Sequence, residues 1–389
     1  MIQKINIFMV FIVLLGISIA CSDDPNSVGS LLIPEKDILK SETLELYAES
    51  VESFEKDSVN FGSSSSLLLG NYNNVSSKVL LAFLITLPDS IMDPYSTDEV
   101  NLKSAWIEIY PNYWLGDKSD ISFTAHKINT AWNPLTVDDD SLSVIESSIG
   151  DDILSSLSYA EGDSIIGFTI DNNLVENWVK RSFDSSVESN YGILLAPTIS
   201  STTIFGFQAL TSFALDQYTT LHLEFEKPGE FIDTVLSTPN LDLHVPVGEK
   251  LADPNNGIIL QGGISSRGKI KINSETIPKN IVINNALLDL YVQSSDEGTI
   301  SSDTIAVSFL SSFVNTNVNE NFGRYPLVKK DNKYSGDIRQ FVERWLDDEV
   351  NEGLEIKLSD EIRRANAVTI YGTEDIAFTP KLTLYYTTK

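Results

Sequence analysis

The chain has few of the residues that build disulfides, metal centres and nucleophilic catalytic sites. It holds one cysteine and three histidines in 389 residues. One cysteine cannot form an internal disulfide, so side-chain packing must stabilise the fold. No His-Glu-x-x-His, Cys-x-x-Cys or Gly-x-Ser-x-Gly motif is present, and no glycine loop of the phosphate-binding kind. These absences argue against zinc, iron and nucleophilic catalysis, and we predict that the protein is not an enzyme.

Positive charge is also scarce. Lysine and arginine number 27 against 55 aspartates and glutamates, which gives a net charge of −28. Nucleic acids are bound by basic surfaces, so the composition argues against a nucleic-acid partner. The hydrophobic content of 42% is sufficient for packed cores rather than disorder.

The N-terminal segment is apolar and ends at the only cysteine. Lys4 supplies a positive charge, residues 5–19 are almost entirely apolar, and Ser18-Ile19-Ala20 precede Cys21. The apolar run is shorter than the ~20 residues that span a bilayer. The pattern is typical of a secretory signal peptide over residues 1–20, followed by lipid modification of Cys21. A polar tether is then predicted over residues 21–41.

This leader resembles the lipoprotein signals of Bacteroidota-type bacteria. The acidic segment Ser22-Asp23-Asp24 resembles the tag that directs such lipoproteins to the outer face of the outer membrane. The resemblance implies a protein that is lipid-anchored in the outer membrane and faces the cell exterior. The alternative is an ordinary signal peptide followed by an acidic linker.

Four sequence blocks recur in the same order in the two halves of the chain, which indicates an internal repeat. The matching segments are 67–70 with 76–83 and 258–261 with 265–272, then 105–110 and 286–291, 174–178 and 341–345, and 221–225 and 382–386. We predict a first repeat over residues 42–228 and a second, divergent repeat over residues 229–389.

Local patterns within the blocks predict strands and one helix per repeat. Residues 105–110 alternate between apolar and polar or aromatic side chains, as in a half-buried strand. Leu174 and Trp178 lie four residues apart, as do Phe341 and Trp345, so each pair shares a helical face. Asp171 and Asp337 are candidate N-caps for these helices. The sequence therefore predicts an all-β protein of two tandem jelly-roll-like β-sandwich domains, each with one short capping helix whose tryptophan seals the core.

The first repeat resembles the DNRLRE-type β-sandwich domain, which is close to a carbohydrate-binding-module family. The resemblance runs from about residue 60 to residue 225, and its residues are Asn60-Phe61-Gly62-Ser63, 78–83, 105–110, Thr130-Ala131-Trp132-Asn133 and 174–178. The second repeat lacks the Asn-Phe-Gly-Ser opening and the Trp-Asn element. The resemblance implies a non-catalytic fold that serves glycan binding or attachment at the cell surface.

Aromatic side chains are the candidate ligand-binding residues. Trp106 and Tyr110 are predicted on the outward face of one strand, Tyr113 and Trp114 follow it, and Tyr72 lies among asparagines. Aromatic rings stack on the apolar faces of sugars, and asparagine or aspartate bonds their hydroxyls. We therefore predict binding of an extracellular polysaccharide. Alternatively these aromatic residues pack beneath a loop or between the repeats, and the protein is a structural or adhesion scaffold among other envelope proteins.

An acidic segment is a candidate calcium site. Asp138, Asp139 and Asp140 follow one another in a predicted loop, and carboxylate oxygens are the ligands that Ca²⁺ prefers. The spacing does not match an EF-hand, so a solvated acidic loop is the alternative. A polysaccharide-cleaving enzyme is a third interpretation of the whole chain. It would require a concave face that carries tyrosine, arginine and paired carboxylates.

Overall fold

The computed structural model describes residues 40–56, 59–212, 217–251, 257–347 and 349–388. The predicted signal peptide, Cys21 and residues 21–39 of the predicted tether lie outside the described residues. Lys40 and Ser41, which were predicted to end the tether, already belong to the first strand.

Strands form most of the ordered secondary structure, so the predicted β-rich class is confirmed. The strands before residue 249 are β1 (Lys40–Glu55), β2 (Ser66–Tyr72), β3 (Val75–Phe83), β4 (Asn101–Ile109), β5 (Pro111–Gly116), β6 (Phe123–Lys127), β7 (Leu154–Ser158), β8 (Ile166–Ile170), β9 (Ile193–Pro197), β10 (Thr203–Gln208), β11 (Thr220–Lys227), β12 (Phe231–Ser237) and β13 (Pro239–Gly248). The later strands are β14 (Ile258–Gln261), β15 (Ser266–Ile272), β16 (Val282–Asp296), β17 (Thr304–Ser312), β18 (Asn317–Val318), β19 (Arg324–Lys330), β20 (Lys333–Asp337), β21 (Leu354–Leu358), β22 (Ala367–Ile370) and β23 (Lys381–Thr388).

Four α-helices occur in the described part of the chain, with two short 3₁₀ turns at Phe61–Ser63 and Glu320–Phe322. The helices are α1 (Asp89–Ser96), α2 (Asp139–Glu146), α3 (Asn172–Arg181) and α4 (Arg339–Leu346). Within the described ranges, none of the helices has both the length and the apolar character needed to cross a bilayer. The prediction of one helix per repeat is correct for the second half and wrong for the first, which also contains α1 and α2.

Both predicted capping helices are present with the expected cores, but only α3 begins at its predicted N-cap, because the N-cap of α4 is Ile338, one residue after Asp337. Asp171 accepts a hydrogen bond from Asn173 N at 3.0 Å, and Asp337 accepts one from Arg339 N at 2.9 Å. Trp178 and Trp345 are both buried, each in the hydrophobic core of its own half. The prediction that each tryptophan seals a core is confirmed.

The pairing of strands repeats between the two halves. In the first half β4 pairs with β11 and β8, and β3 pairs with β2 and β9. In the second half β16 pairs with β23 and β20, and β15 pairs with β14 and β21. The sequence repeat is therefore also a repeat of topology.

The two halves differ in how their sheets close. The first half has a seven-stranded sheet, β5-β10-β2-β3-β9-β6 with β13 on β3, and a five-stranded sheet, β12-β11-β4-β8-β7. In the second half, β1-β23-β16-β20-β19-β17-β21-β15 form a ring, because β15 pairs back with β1. The expected pair of tandem jelly rolls is thus only partly seen: one half has two separate sheets, and the other has a continuous eight-stranded ring.

Two segments pair with the half to which they do not belong in sequence. The first strand, β1, pairs with β23 through residues 40–47 and with β15 through residues 48–55. The segment of β12 and β13 takes the corresponding place in the first half, on β11 and β3. These ladders cross the predicted domain boundary at 228/229, so each half is completed by a strand that the boundary assigns to the other.

Candidate functional site

Four side chains form a cluster on the outer face of the five-stranded sheet. Trp106 and Glu108 lie in β4, and Tyr110 is the residue directly after it. These three occupy alternate positions, while the intervening Ile107 and Ile109 point into the core. His222 of β11 lies directly opposite Trp106 in the ladder, and the two rings stack with centroids 4.7 Å apart at 12°. We call Trp106, Glu108, Tyr110 and His222 the Trp106 platform.

The carboxylate of Glu108 links the members of the Trp106 platform. It accepts hydrogen bonds from Trp106 Nε1 at 3.1 Å and from Tyr110 Oη at 3.0 Å. Nε2 of His222 lies 3.2 Å from Glu108 Oε2, within ion-pair distance but without hydrogen-bond geometry. The side chain of Glu108 remains 24% exposed. Both rings are therefore fixed by one partly exposed acceptor.

The surroundings of Glu108 keep it ionised. Partial burial alone would raise the pKa of this carboxyl, but the hydrogen bonds from Trp106 and Tyr110, together with the nearby His222, lower it below its ordinary value. An ionised carboxylate accepts hydrogen bonds and has about four lone-pair positions, so capacity remains for a ligand hydroxyl.

Small side chains lie beside the Trp106 platform on the same face. Thr169 is opposite Trp106 and Gly167 is opposite Glu108 on β8, and Ser156 and Ser158 of β7 continue these rows. We call Gly167, Thr169, Ser156 and Ser158 the trough. A Cβ atom added at Gly167 would meet no atom closer than 3.8 Å, so packing at that position does not require a glycine. Because glycine has no side chain, the surface has a shallow depression next to Glu108.

The corresponding face of the second half has no such cluster. The sequence blocks align Trp106 with Leu287, Glu108 with Asp289 and His222 with Thr383. Asp289 is buried and forms an ion pair with Lys333 at 2.8 Å. The equivalent strand pair of the second half, β16 and β23, is therefore built without a Trp-His stack at this place.

Tyr113 lies between the two halves, whereas the ring of Trp114 packs in the core of the first half against Phe205 and Tyr159. Tyr113 is buried and donates to Asn366 Oδ1 at 2.7 Å. Trp114 is also buried, and its backbone pairs with Thr299 through bonds of 3.1 and 2.7 Å. The structure thus separates Tyr113 and Trp114 from the Trp106 platform.

Tyr72 contacts the second half as well. Its hydroxyl donates to Asp296 Oδ1 at 3.1 Å, and Asn73 donates to Asp296 Oδ2 at the same distance. Asn74 accepts a hydrogen bond from Gln261. Asn73 and Asn74 therefore bond across the interface, whereas Asn71 donates to Thr198 O at 2.7 Å within the first half.

The acidic segment begins α2. Asp138 is the N-cap and accepts bonds from Ser141 N at 2.9 Å and Ser141 Oγ at 2.6 Å, which lower its pKa. Asp139 is the first residue of the helix, and Asp140 is exposed. Among the residues that the structure describes, no group of three or more histidine, cysteine, aspartate or glutamate side chains could hold a metal ion. Calcium binding by Asp138, Asp139 and Asp140 stays a prediction.

A cleft of about 640 Å³ is the main concave feature near the Trp-Asn element. Trp132, Trp178, Tyr191 and Asn240 are among its lining residues. Trp132 Nε1 already donates to Tyr191 O at 2.8 Å. This cleft therefore offers aromatic surface, but the indole donor is already used within the protein.

His222 and Glu108 are the members of the site that sequence reasoning did not select. The alternation of residues 221–225 put His222 on one face of a strand, but only the register between β11 and β4 puts it beside Trp106. Glu108 had a detectable signal, because it stands between Trp106 and Tyr110 on the same face.

No known family model matches the chain, and comparison with curated proteins gives no match.

Proposed function

We propose that the protein is a non-catalytic, lipid-anchored cell-surface protein that binds neutral extracellular carbohydrate on the Trp106 platform. The observation that carries the proposal is the bonding of Trp106 and Tyr110 to one partly exposed carboxylate, Glu108. Rings that are held in place before binding lose little conformational freedom when a ligand stacks on them.

The trough supports this proposal by its shape and chemistry. An aromatic row flanked by a low strip of serine, threonine and glycine provides a stacking surface beside small hydroxyl groups. Sugars require this combination of apolar contact and hydrogen bonds. The net charge of −28 disfavours polyanionic glycans, so a neutral polysaccharide is the better ligand.

The proposal also covers the architecture of the two halves and the cellular location of the protein. We infer that the two halves are jelly-roll-like sandwich repeats of the DNRLRE-type, and that the protein is anchored through Cys21 to the outer membrane and faces the exterior. The shared strand pairing of the two halves supports the first inference, and the leader pattern supports the second.

A glycan-array screen of residues 22–389, with and without calcium, tests the proposed function. Specific binding is expected, and it should disappear in a Trp106→Ala, Tyr110→Ala variant whose melting curve is unchanged. Tyr291→Ala is the matched control, because Tyr291 is the counterpart of Tyr110 in the second half. If the Trp106→Ala, Tyr110→Ala variant still binds, the binding site lies elsewhere, and the cleft lined by Trp132 is the next candidate.

An envelope scaffold without a sugar site is the second candidate function. It is favoured by the use of Tyr72, Tyr113 and Trp114 in contacts between the two halves. The absence of binding to neutral and acidic glycans on the array, together with co-purification of other envelope proteins, would support this alternative.

A further inference from the structure

The place of β1 in the second half is equivalent to that of β12 and β13 in the first. Residues 40–47 of β1 pair with β23 and residues 48–55 with β15. β12 pairs with β11, the counterpart of β23, and β13 pairs with β3, the counterpart of β15. The chain thus completes each half with a long strand from the other. We call the position between β15 and β23 the β1 slot.

The two exchanged segments differ in how the chain holds them. β12 follows β11 after a turn of residues 228–230 and leads directly into β13, so it is tied at both ends to strands of the same half. β1 joins the described fold only through its C-terminal end, where residues 56–65 lead to β2 of the other half. β1 therefore forms no hairpin with either of its ladder partners, β15 and β23, whereas β12 forms one with β11.

β1 inserts few apolar side chains into its slot. Leu46 and Ala48 are its buried residues, while Leu44 and Val51 are partly buried against the core. The other interactions are the two backbone ladders and the ion pairs of Glu45 with Lys381 at 2.8 Å and of Glu52 with Lys269 at 2.9 Å, all of which a strand of the same sequence from another copy can form. Loss and recovery of β1 consequently involve hydrogen bonds more than a large apolar core.

We propose that the β1 slot is a strand-acceptor site, and that its partner is a second copy of this chain, which donates its own residues 40–55. Each copy would form the same ladders with β15 and β23 that it now forms internally, so association creates no new unsatisfied backbone group. Reciprocal donation gives a closed dimer, and sequential donation gives an open chain of copies.

Cysteine cross-linking between two different copies tests the proposal directly. Thr43 lies opposite Tyr385 in the β1–β23 ladder, and both side chains are exposed. One copy carries Thr43→Cys and the other Tyr385→Cys, each in a Cys21→Ser background. The two are unfolded, refolded together and oxidised. Because directly opposite residues are within disulfide reach, a cross-linked heterodimer is the expected product.

The first half provides a matched control. Thr234 of β12 lies opposite Glu224 of β11, at positions equivalent to Thr43 and Tyr385. Copies carrying Thr234→Cys and Glu224→Cys should give several-fold less heterodimer, because the hairpin keeps β12 in its own chain. A single chain with both Thr43→Cys and Tyr385→Cys checks that the pair can form a disulfide.

Three results would overturn the proposal. One is a heterodimer yield no higher than that of the control pair, while the single-chain double variant forms its disulfide. Failure of the double variant to form that disulfide would contradict the register of β1 and the proposal with it. A refolded wild-type chain that stays wholly monomeric by light scattering would also exclude exchange between copies.

Discussion

Trp106 on β4 and His222 on β11 are cross-strand neighbours whose rings stack 4.7 Å apart, whereas their counterparts in the second half are Leu287 and Thr383. Because the equivalent strand pair of the second half forms with leucine and threonine at these positions, the stack is not required for the pairing. We expect a Trp106→Leu, His222→Thr variant to lose no more than about 1 kcal/mol of unfolding free energy. Urea titration measures this value, and a loss of several kcal/mol would show that the stack is structural.

Gly167 provides a prediction in which stability and binding change in opposite directions. The Cβ position of Gly167 makes only ordinary van der Waals contacts, and valine suits a strand better than glycine, so Gly167→Val should stabilise the fold by up to about 1 kcal/mol. The same side chain would fill the trough beside Glu108 and abolish carbohydrate binding.

Gly167→Ser is the matched control, since Ser335 is the counterpart of Gly167 opposite Asp289. It should retain part of the binding. Paired melting and binding curves distinguish these outcomes, and full binding by the valine variant would place the ligand away from the trough.

Tyr113 should affect stability and not ligand binding. Its buried hydroxyl bonds to Asn366 Oδ1, which also accepts from Gly298 N, so Tyr113→Phe leaves that oxygen with one partner. The expected cost is about 1 kcal/mol in chemical denaturation. Tyr110→Phe, which removes the hydroxyl bound to Glu108, serves as the comparison and should weaken binding instead. A binding defect in the Tyr113 variant would return this residue to the list of ligand contacts.

The burial of His244 is expected to lower the stability of the fold in acid. Burial lowers the pKa of this imidazole to about 3, both ring nitrogens lack a hydrogen-bond partner, and Phe61 packs against its ring at 5.2 Å. The unfolded chain binds a proton near the ordinary pKa of about 6.5, so stability is full above that pH and falls as the pH drops towards 3. His244→Leu should reduce this slope.

The neighbouring Asp242 acts in the opposite sense over part of the range. Burial raises its pKa to about 6, although a hydrogen bond from Leu210 N opposes the rise. The contribution of Asp242 to the free energy of unfolding therefore falls as the pH rises from about 4 to 6. Denaturation of Asp242→Asn beside His244→Leu separates the two effects. An unchanged acid slope in the histidine variant would contradict the burial argument.

The sequence predicts the local structure well where periodicity alone decides it. The alternation of residues 105–110 correctly puts Ile107 and Ile109 in the core, and the four-residue spacing of Leu174 and Trp178 predicts α3. Tyr113 follows the same strand in sequence, but a new strand begins at Pro111 and pairs with β10 in the other sheet. That change of sheet depends on long-range pairing, which no short pattern records.

The exchange of β1 between the halves was not predictable for a related reason. The two halves share their strand pattern, so β1 could in principle complete either of them, and only the tertiary contacts decide. The helix start at Asp138 is a contrasting case, since Asp138 followed by Ser141 is a local N-cap signal that can be read from the sequence alone.

Calorimetry measures whether the Trp106 platform binds carbohydrate. A neutral glycan selected on the array is titrated into the wild-type chain and into the Trp106→Leu, His222→Thr variant. We expect saturable binding by the wild type and a loss of affinity of up to about tenfold in the variant, since a stacked aromatic contact contributes up to about 1.5 kcal/mol. Equal affinity of the two proteins for the glycan, with equal melting curves, would show that the Trp106 platform is not the binding site.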